Sequence, residues 1–342
     1  MTIFDAYVHE APSPPVAVDI FKGAWASAFP PPFEGLRAGN LLNPNDPRLP
    51  WAAELLGGLA GRSALELGPL EGTMTWQLEQ LGAASIVAVE ANTTAYLRCL
   101  IAKEILGLQR ARLLCGDFLP FLRADPGPFD VCVASGVLYH MRNPAELIAL
   151  VARAADRAFF WTHYYDEALV AASPNLAPRF ATAPEAAEYL GFRHTRYRQQ
   201  YQGEVGWSGF CGGSAPYSAW LSRADLLACL RHFGYDQITL GFDDPGHFGG
   251  PSLAIVAVRS DPAARPRFDA YAAAEPEPPP LPPAPTPAPA AAALQQLGER
   301  DAYIARVEAA LDVKNAHIAS LEQQLARVER GRLLRLLRRL GL

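Results

Sequence analysis

The chain has 342 residues, 50% of them hydrophobic and 19% charged, with a formal net charge of −5. That composition suits one large domain plus an appendage, and its acidic balance is a poor match for the phosphates of nucleic acid. No N-terminal run has the basic start and apolar core of an export signal, and no apolar stretch nears the roughly 20 residues that cross a bilayer. The five cysteines show no zinc or redox spacing, so a cytoplasmic protein with reduced thiols and no metal is expected.

Residues 1–50 set Phe21, Trp25, Phe29 and Phe33 among prolines and read as a cap segment packed on the larger domain. From 51 to 260 seven short apolar runs alternate with amphipathic or loop segments: SALEL, SIVAVE, ARLLC, FDVCVA, AFFWTH, QITLGF and LAIVAV. Such alternation predicts an α/β domain: a Rossmann-like, seven-stranded, mostly parallel sheet with helices on both faces. Between the fifth and sixth runs, residues 164–217 carry Tyr165, Tyr197, Tyr201, Trp207, Phe210 and Tyr217, too long a stretch for a plain connector. We read it as an aromatic acceptor-binding loop, with a packed structural subdomain as the alternative; Arg193, Arg196 and Arg198 either meet an anionic acceptor or form a solvated face.

Residues 261–293 are rich in proline and alanine and predict an extended linker. In 294–342, Leu297, Ile304, Leu311, Ile318 and Leu325 recur every seven residues, the signature of a coiled coil through which the chain would form a homo-oligomer. The tip, 327–342, holds six arginines against Glu329 alone, interleaved with leucines. Such a basic amphipathic helix would touch a membrane surface or a partner protein.

The strongest local motif is ALELGPLEGT, Ala64 to Thr73, where a strand runs into a glycine turn and then a helix. Glu66, Gly68 and Gly72 are spaced E-x-G-x-x-x-G. Glycines let a ligand approach the backbone, but Pro69 to Glu71 stand where a pyrophosphate loop has its close-set glycines, and Glu71 would repel phosphate. A cationic ligand without phosphate fits better, and Glu66 would face its positive end. The second strand ends at Glu90, about 20 residues after the turn, where a carboxylate accepts ribose hydroxyls. The third ends in GDF, offering Asp117 and Phe118 to an adenine, although Asp117 also reads as a helix cap. The fourth gives SGVLYH, with Ser135, Gly136, Leu138, Tyr139 and His140 at the sheet's C-terminal edge, and the fifth ends at His163.

The ordered motifs ELGPLEG, VAVEAN, GDF and SGVLYHM resemble the class I S-adenosylmethionine (SAM) dependent methyltransferases over about residues 50–258. The resemblance implies SAM as cofactor, with Glu66, Gly68, Pro69 and Gly72 around the methionine part, Glu90 at the ribose, Asp117 and Phe118 at the adenine, and Ser135, Gly136 and Leu138 toward the sulfonium. Tyr139, His140 and His163 are the candidate catalytic residues, since an imidazole titrates near neutrality and can take a proton from the acceptor. The GVLYH segment is also similar to the tRNA wobble-uridine modifying family. The layout as a whole is similar to bacterial methyltransferases that accompany surface-polysaccharide glycosyltransferases. The expected acceptor is therefore a small molecule or glycan, such as the hydroxyl of a lipid-linked saccharide at the inner membrane face, with a glycosyltransferase as a candidate partner. Two rivals stand beside it: an RNA acceptor, and a non-catalytic scaffold that organises a glycosyltransferase through the coiled coil.

Overall fold

The computed structural model describes residues 7–269, apart from 37, 40–43, 181 and 207–208. The heptad segment, the basic tip and all of the proline-rich linker beyond residue 269 lie outside the described residues.

In chain order the described elements are α1 (Pro14–Asp19), α2 (Arg48–Leu55), β1 (Ser63–Leu67), α3 (Thr73–Gln80), β2 (Ser85–Glu90), α4 (Thr93–Leu106), β3 (Ala111–Cys115) and α5 (Phe118–Arg123). They continue with β4 (Val131–Ser135), α6 (Pro144–Ala154), β5 (Arg157–His163), α7 (Glu167–Ala172), β6 (Glu185–Tyr189), β7 (Phe192–Gln200), β8 (Tyr217–Trp220), α8 (Arg223–His232), β9 (Gln237–Asp244) and β10 (Ser252–Val258).

The main sheet has seven strands in the order β3-β2-β1-β4-β5-β10-β9. Strands β1 to β5 are mutually parallel, and β10 runs antiparallel to both of its neighbours. All seven apolar runs of the sequence are strands of this one sheet. The inner strands read as unbroken apolar runs because both of their faces are covered. Their period of two divides the core: Leu65, Leu67, Cys132, Ala134, Phe160 and Ile255 pack on one side, and Ala64, Val131, Val133, Phe159 and Val256 on the other. Helix α6 fills the centre of the first side with all but one of its residues buried; Pro144 opens it and the Asn143 side chain caps it.

The strand order reverses between β1 and β4, whose following loops therefore diverge and leave a crevice at the C-terminal edge. The N-terminal segment closes over the neighbouring helix: Val18, Trp25 and Phe29 cluster with Ala102 of α4. Glu71 holds it there by accepting from the Ala26 and Ser27 backbone N–H groups, at 3.0 and 2.6 Å, while Arg98 pairs with the same carboxylate at 2.8 Å.

The 164–217 stretch is folded, in line with the packed subdomain that stood as the alternative to a loop. It contains α7 and an antiparallel sheet in the order β6-β7-β8. A two-residue turn at Leu190 and Gly191, both at positive φ, joins β6 to β7. Strand β8 docks on the loop after β4, with Ala219 N–H donating to Met141 O at 2.8 Å and the Trp220 indole to Tyr139 O at 3.2 Å. Long aromatic side chains supply enough burial for this small sheet to fold against the larger one. The β7 arginines are occupied by acids: Arg193 pairs with Glu188, and Arg196 and Arg198 with Glu185. No helix among the described residues is long and apolar enough to cross a membrane.

Candidate active site

The crevice has two ends, one acidic and one aromatic. At the acidic end β1 delivers Glu66, which is 3% exposed, and the chain turns at Gly68 with φ +65°. A Cβ on Gly68 would lie 2.6 Å from Cγ1 of Val137, in the loop after β4, so only glycine lets the two loops meet. Pro69 O accepts from the Gly72 N–H at 2.8 Å, and Gly72, at φ +80°, opens α3. The Thr75 hydroxyl, one turn into α3, donates to Glu66 Oε2 at 2.6 Å. Burial pushes the Glu66 carboxyl up to about 7, against the Thr75 hydrogen bond and with the help of nearby Glu90.

Glu90 ends β2. Its Oε1 accepts from Asn92 N–H at 2.8 Å and its Oε2 from Leu70 N–H at 2.9 Å, tying the glycine turn to the second strand. Burial raises its carboxyl above the usual range despite those bonds. Neither Glu66 nor Glu90 has a cationic side chain within ion-pair distance among the described residues; Arg98, the nearby guanidinium, is paired with Glu71. Two buried carboxylates without a protein counter-ion fit a ligand that brings its own positive charge, as SAM does. The lone pairs left on Glu90 suit ribose hydroxyls.

Asp117 caps α5 by accepting from Leu119 N–H at 2.8 Å and is otherwise exposed. Two further side chains named for the cofactor site are buried. Phe118 packs beside Leu65 and Leu122, and Leu138, 2% exposed, packs among the same cluster, because the short helical turn after β4 directs it under the sheet. Ser135 and Gly136 remain at the crevice, Gly136 turning at φ +80°.

The aromatic end gathers the three proposed catalytic residues. The Tyr139 ring lies 4.2 Å from that of His140 and 4.5 Å from that of His163, centroid to centroid. The histidines differ in their partners. His140 Nδ1 is 2.8 Å from the Tyr201 hydroxyl. His163, 6% exposed, has Nδ1 at 2.8 Å from Gly250 O and 3.3 Å from Pro251 O. A carbonyl only accepts, so Nδ1 carries the proton and Nε2 presents a lone pair. Burial pushes His140 down to about 3 and His163 to about 4, so both rings are neutral near pH 7. Tyr139, raised by burial, keeps its proton.

Around His163 stand groups that the sequence alone did not single out. Trp220 stacks on it at 5.1 Å and 13°, Trp161 lies at 5.2 Å and His247 at 5.1 Å. The Arg48 guanidinium sits 4.5 Å over the Trp161 ring and is ion-paired with Asp46. The visible signal was GHFGG at 246–250. Gly250 turns at φ +120°, where a Cβ would come within 2.7 Å of Trp220, and one on Gly249 would come within 3.1 Å of His163 Nε2. Among the described residues no group of three His, Cys, Asp or Glu is placed to hold a metal ion.

Comparison with known proteins bears on the fold. Residues 65–157 match the family described as methyltransferase domain. A tRNA U34 carboxymethyltransferase of Marinobacter nauticus is 32% identical over 95 residues, which is 27% of this chain and 27% of that protein. The match thus spans about a quarter of the length of that curated relative. Two crystal structures of the N-terminal domain of EvdMO1 share the fold. One, in the presence of SAH (S-adenosylhomocysteine) and D-fucose, is 22% identical with a TM-score of 0.55, covering 72% of this chain and 95% of that one. The other, with SAH bound, is 24% identical with a TM-score of 0.54, covering 72% and 94%.

Proposed function

We propose, for a chain that carries a class I, SAM-dependent methyltransferase domain, that it methylates a hydroxyl of a saccharide, with His163 as the base. The observation that carries this reading is the anchoring of His163: two backbone carbonyls hold Nδ1–H, and Nε2 has no hydrogen-bond partner among the described residues.

When bound, SAM supplies a methyl group already activated by its sulfonium. What the protein must add is position, exclusion of water and a place for the acceptor's proton. Glu66 and Glu90, with the turn Gly68 to Gly72, would hold the cationic and ribose parts of the cofactor. Ser135 and Gly136 border the crevice toward His163. Trp161, Trp220 and Tyr139 surround the base and would keep it dry, so that a hydroxyl reaching Nε2 would meet a neutral imidazole able to take its proton. Asp117 and the Phe118 backbone remain the expected adenine contacts.

Saccharide is the acceptor class favoured by the walls, since aromatic faces take up C–H surfaces while imidazole edges serve hydroxyls. The fold neighbour crystallised in the presence of D-fucose involves a molecule of this class. An RNA acceptor is the second reading, favoured by the likeness to the tRNA-modifying enzyme; salt-sensitive RNA binding would mark it. Oligomer formation through 294–342, a glycosyltransferase partner and membrane contact through 327–342 belong to the same proposal.

The test is methyl transfer from radiolabelled SAM to a panel of mono- and oligosaccharides, by wild type and by His163→Ala. Label in a sugar product, lost in the variant while SAM still binds, is expected. Label entering RNA instead, or undiminished in the variant, would overturn the assignment.

A further inference from the structure

The rings at the aromatic end form a row that leads out of the protein. Trp220, 2% exposed, stacks on His163; His163 lies 5.1 Å from His247; and His247 lies 4.5 Å from Phe248, which is 81% exposed. Trp161 flanks the row, 5.2 Å from His163 and 5.4 Å from His247. The row of rings therefore runs from the buried His163 to the surface, and its outer member, Phe248, sits in the turn between β9 and β10. A phenylalanine this exposed forgoes most of the stabilisation its burial would bring.

The chemistry along the row selects its occupant. An acyl chain calls for aliphatic walls, whereas here two imidazoles interrupt the aromatic ones, and the Arg48–Asp46 pair lies against Trp161. A nucleic-acid strand calls for unopposed cations, whereas Arg48 is neutralised by Asp46, Arg223 by Asp243, and the hairpin adds Asp244. A chain of sugars has the alternating C–H faces and hydroxyls that such a row accommodates.

Resting on the saccharide reading above, we infer that His247 and Phe248, the accessible outer end of this row, form a track that leads to His163 for an acceptor of at least two linked sugars. The unit to be methylated lies at His163, and Phe248 stacks on the next. The protein thereby prefers a glycosidically linked acceptor to a free monosaccharide, and Phe248 is a specificity-determining residue rather than a catalytic one.

Binding tests this without turnover. The full-length protein is titrated by saturation-transfer NMR with hexose and 6-deoxyhexose methyl glycosides and with disaccharides of the same sugars; SAM affinity is measured in parallel. For at least one sugar the disaccharide is expected to bind tenfold or more tightly than its methyl glycoside. Phe248→Ala should bring that ratio close to one with the methyl glycoside and SAM affinities unchanged, and Phe248→Trp should keep it. A ratio near one in the wild type, or one that survives in Phe248→Ala, overturns the track. Failure of every saccharide, long or short, alongside normal SAM binding overturns the acceptor class and the track with it, and is told apart by the missing methyl glycoside signal. Should Phe248→Ala alter only the oligomeric state in sedimentation, Phe248 covers a contact between copies and the track is again excluded.

Discussion

Replacing Glu66 by Gln should make the ligand-free protein more stable at alkaline pH and weaken its hold on the cofactor. In the folded protein the Glu66 carboxyl titrates at about 7 against 4.5 for the free group, chiefly because burial penalises its charge. A carboxyl raised in this way binds its proton more tightly folded than unfolded. Its contribution to stability is therefore complete below pH 4.5, falls as the pH rises, and is lost once the pH has passed through about 7. At about 1.4 kcal/mol per pH unit, the displacement corresponds to about 3 kcal/mol of stability given up above pH 8. Glutamine cannot ionise and still accepts the Thr75 hydroxyl. Urea unfolding followed by circular dichroism should thus show equal stability for wild type and Glu66→Gln at pH 4.5. At pH 8.5 the variant should lead by up to about 3 kcal/mol, or by roughly 6–12 °C in melting temperature. Calorimetric titration at pH 8 should show SAM affinity lowered roughly 10- to 100-fold, the usual cost of losing one charged hydrogen bond. Parallel stability profiles for the two proteins, or a variant less stable at pH 8.5, would refute the account of Glu66 as an uncompensated buried charge awaiting a cation.

Three other perturbations test the same geometry. His163→Ala should lower kcat about 10²- to 10⁴-fold, the usual share of a general base, with SAM affinity intact; since burial holds the ring neutral down to about pH 4, the acid limb of the wild-type kcat/KM profile should lie near 4 and not near the 6.5 of a free imidazole. Gly68→Ala drives a methyl group into Val137 at a positive φ; calorimetry should find SAM binding lost, with partial recovery on adding Val137→Ala. Glu71→Ala leaves the Arg98 guanidinium buried and unpaired and releases the Ala26 and Ser27 amides, which should cost roughly 3–5 kcal/mol in urea unfolding and open residues 20–30 to limited proteolysis.

Much of the fold was legible because its determinants are local. The inner strands are covered on both faces and so appear as short unbroken apolar runs, and all seven runs take their places in the sheet. The glycine turn was legible for the same reason: the need for positive φ at Gly68 and Gly72 is a property of the backbone at those positions. Chain order likewise put Glu90 and Ser135 at strand ends on the crevice edge. The 164–217 stretch was harder, since its longest strand, β7, is mostly arginine, glutamine and other polar residues without clean alternation, and its sheet depends on docking through Ala219 and Trp220.

Pairings between distant parts of the chain, by contrast, arise only from packing. Glu71 lies inside the cofactor motif but turns away from it to hold residues 26 and 27. Phe118 and Leu138 sit in motif positions and pack in the core cluster beneath the crevice. His140 and His163 were equivalent as letters; they became distinct when carbonyls 87 and 88 residues downstream took the Nδ1 proton of one and left its Nε2 open. His247 and Phe248 joined the site only through the β9–β10 hairpin. Apolar periodicity and backbone conformation are encoded within a few neighbouring residues, whereas a tautomer, an orphaned carboxylate or a row of stacked rings exists only once separate strands have come together.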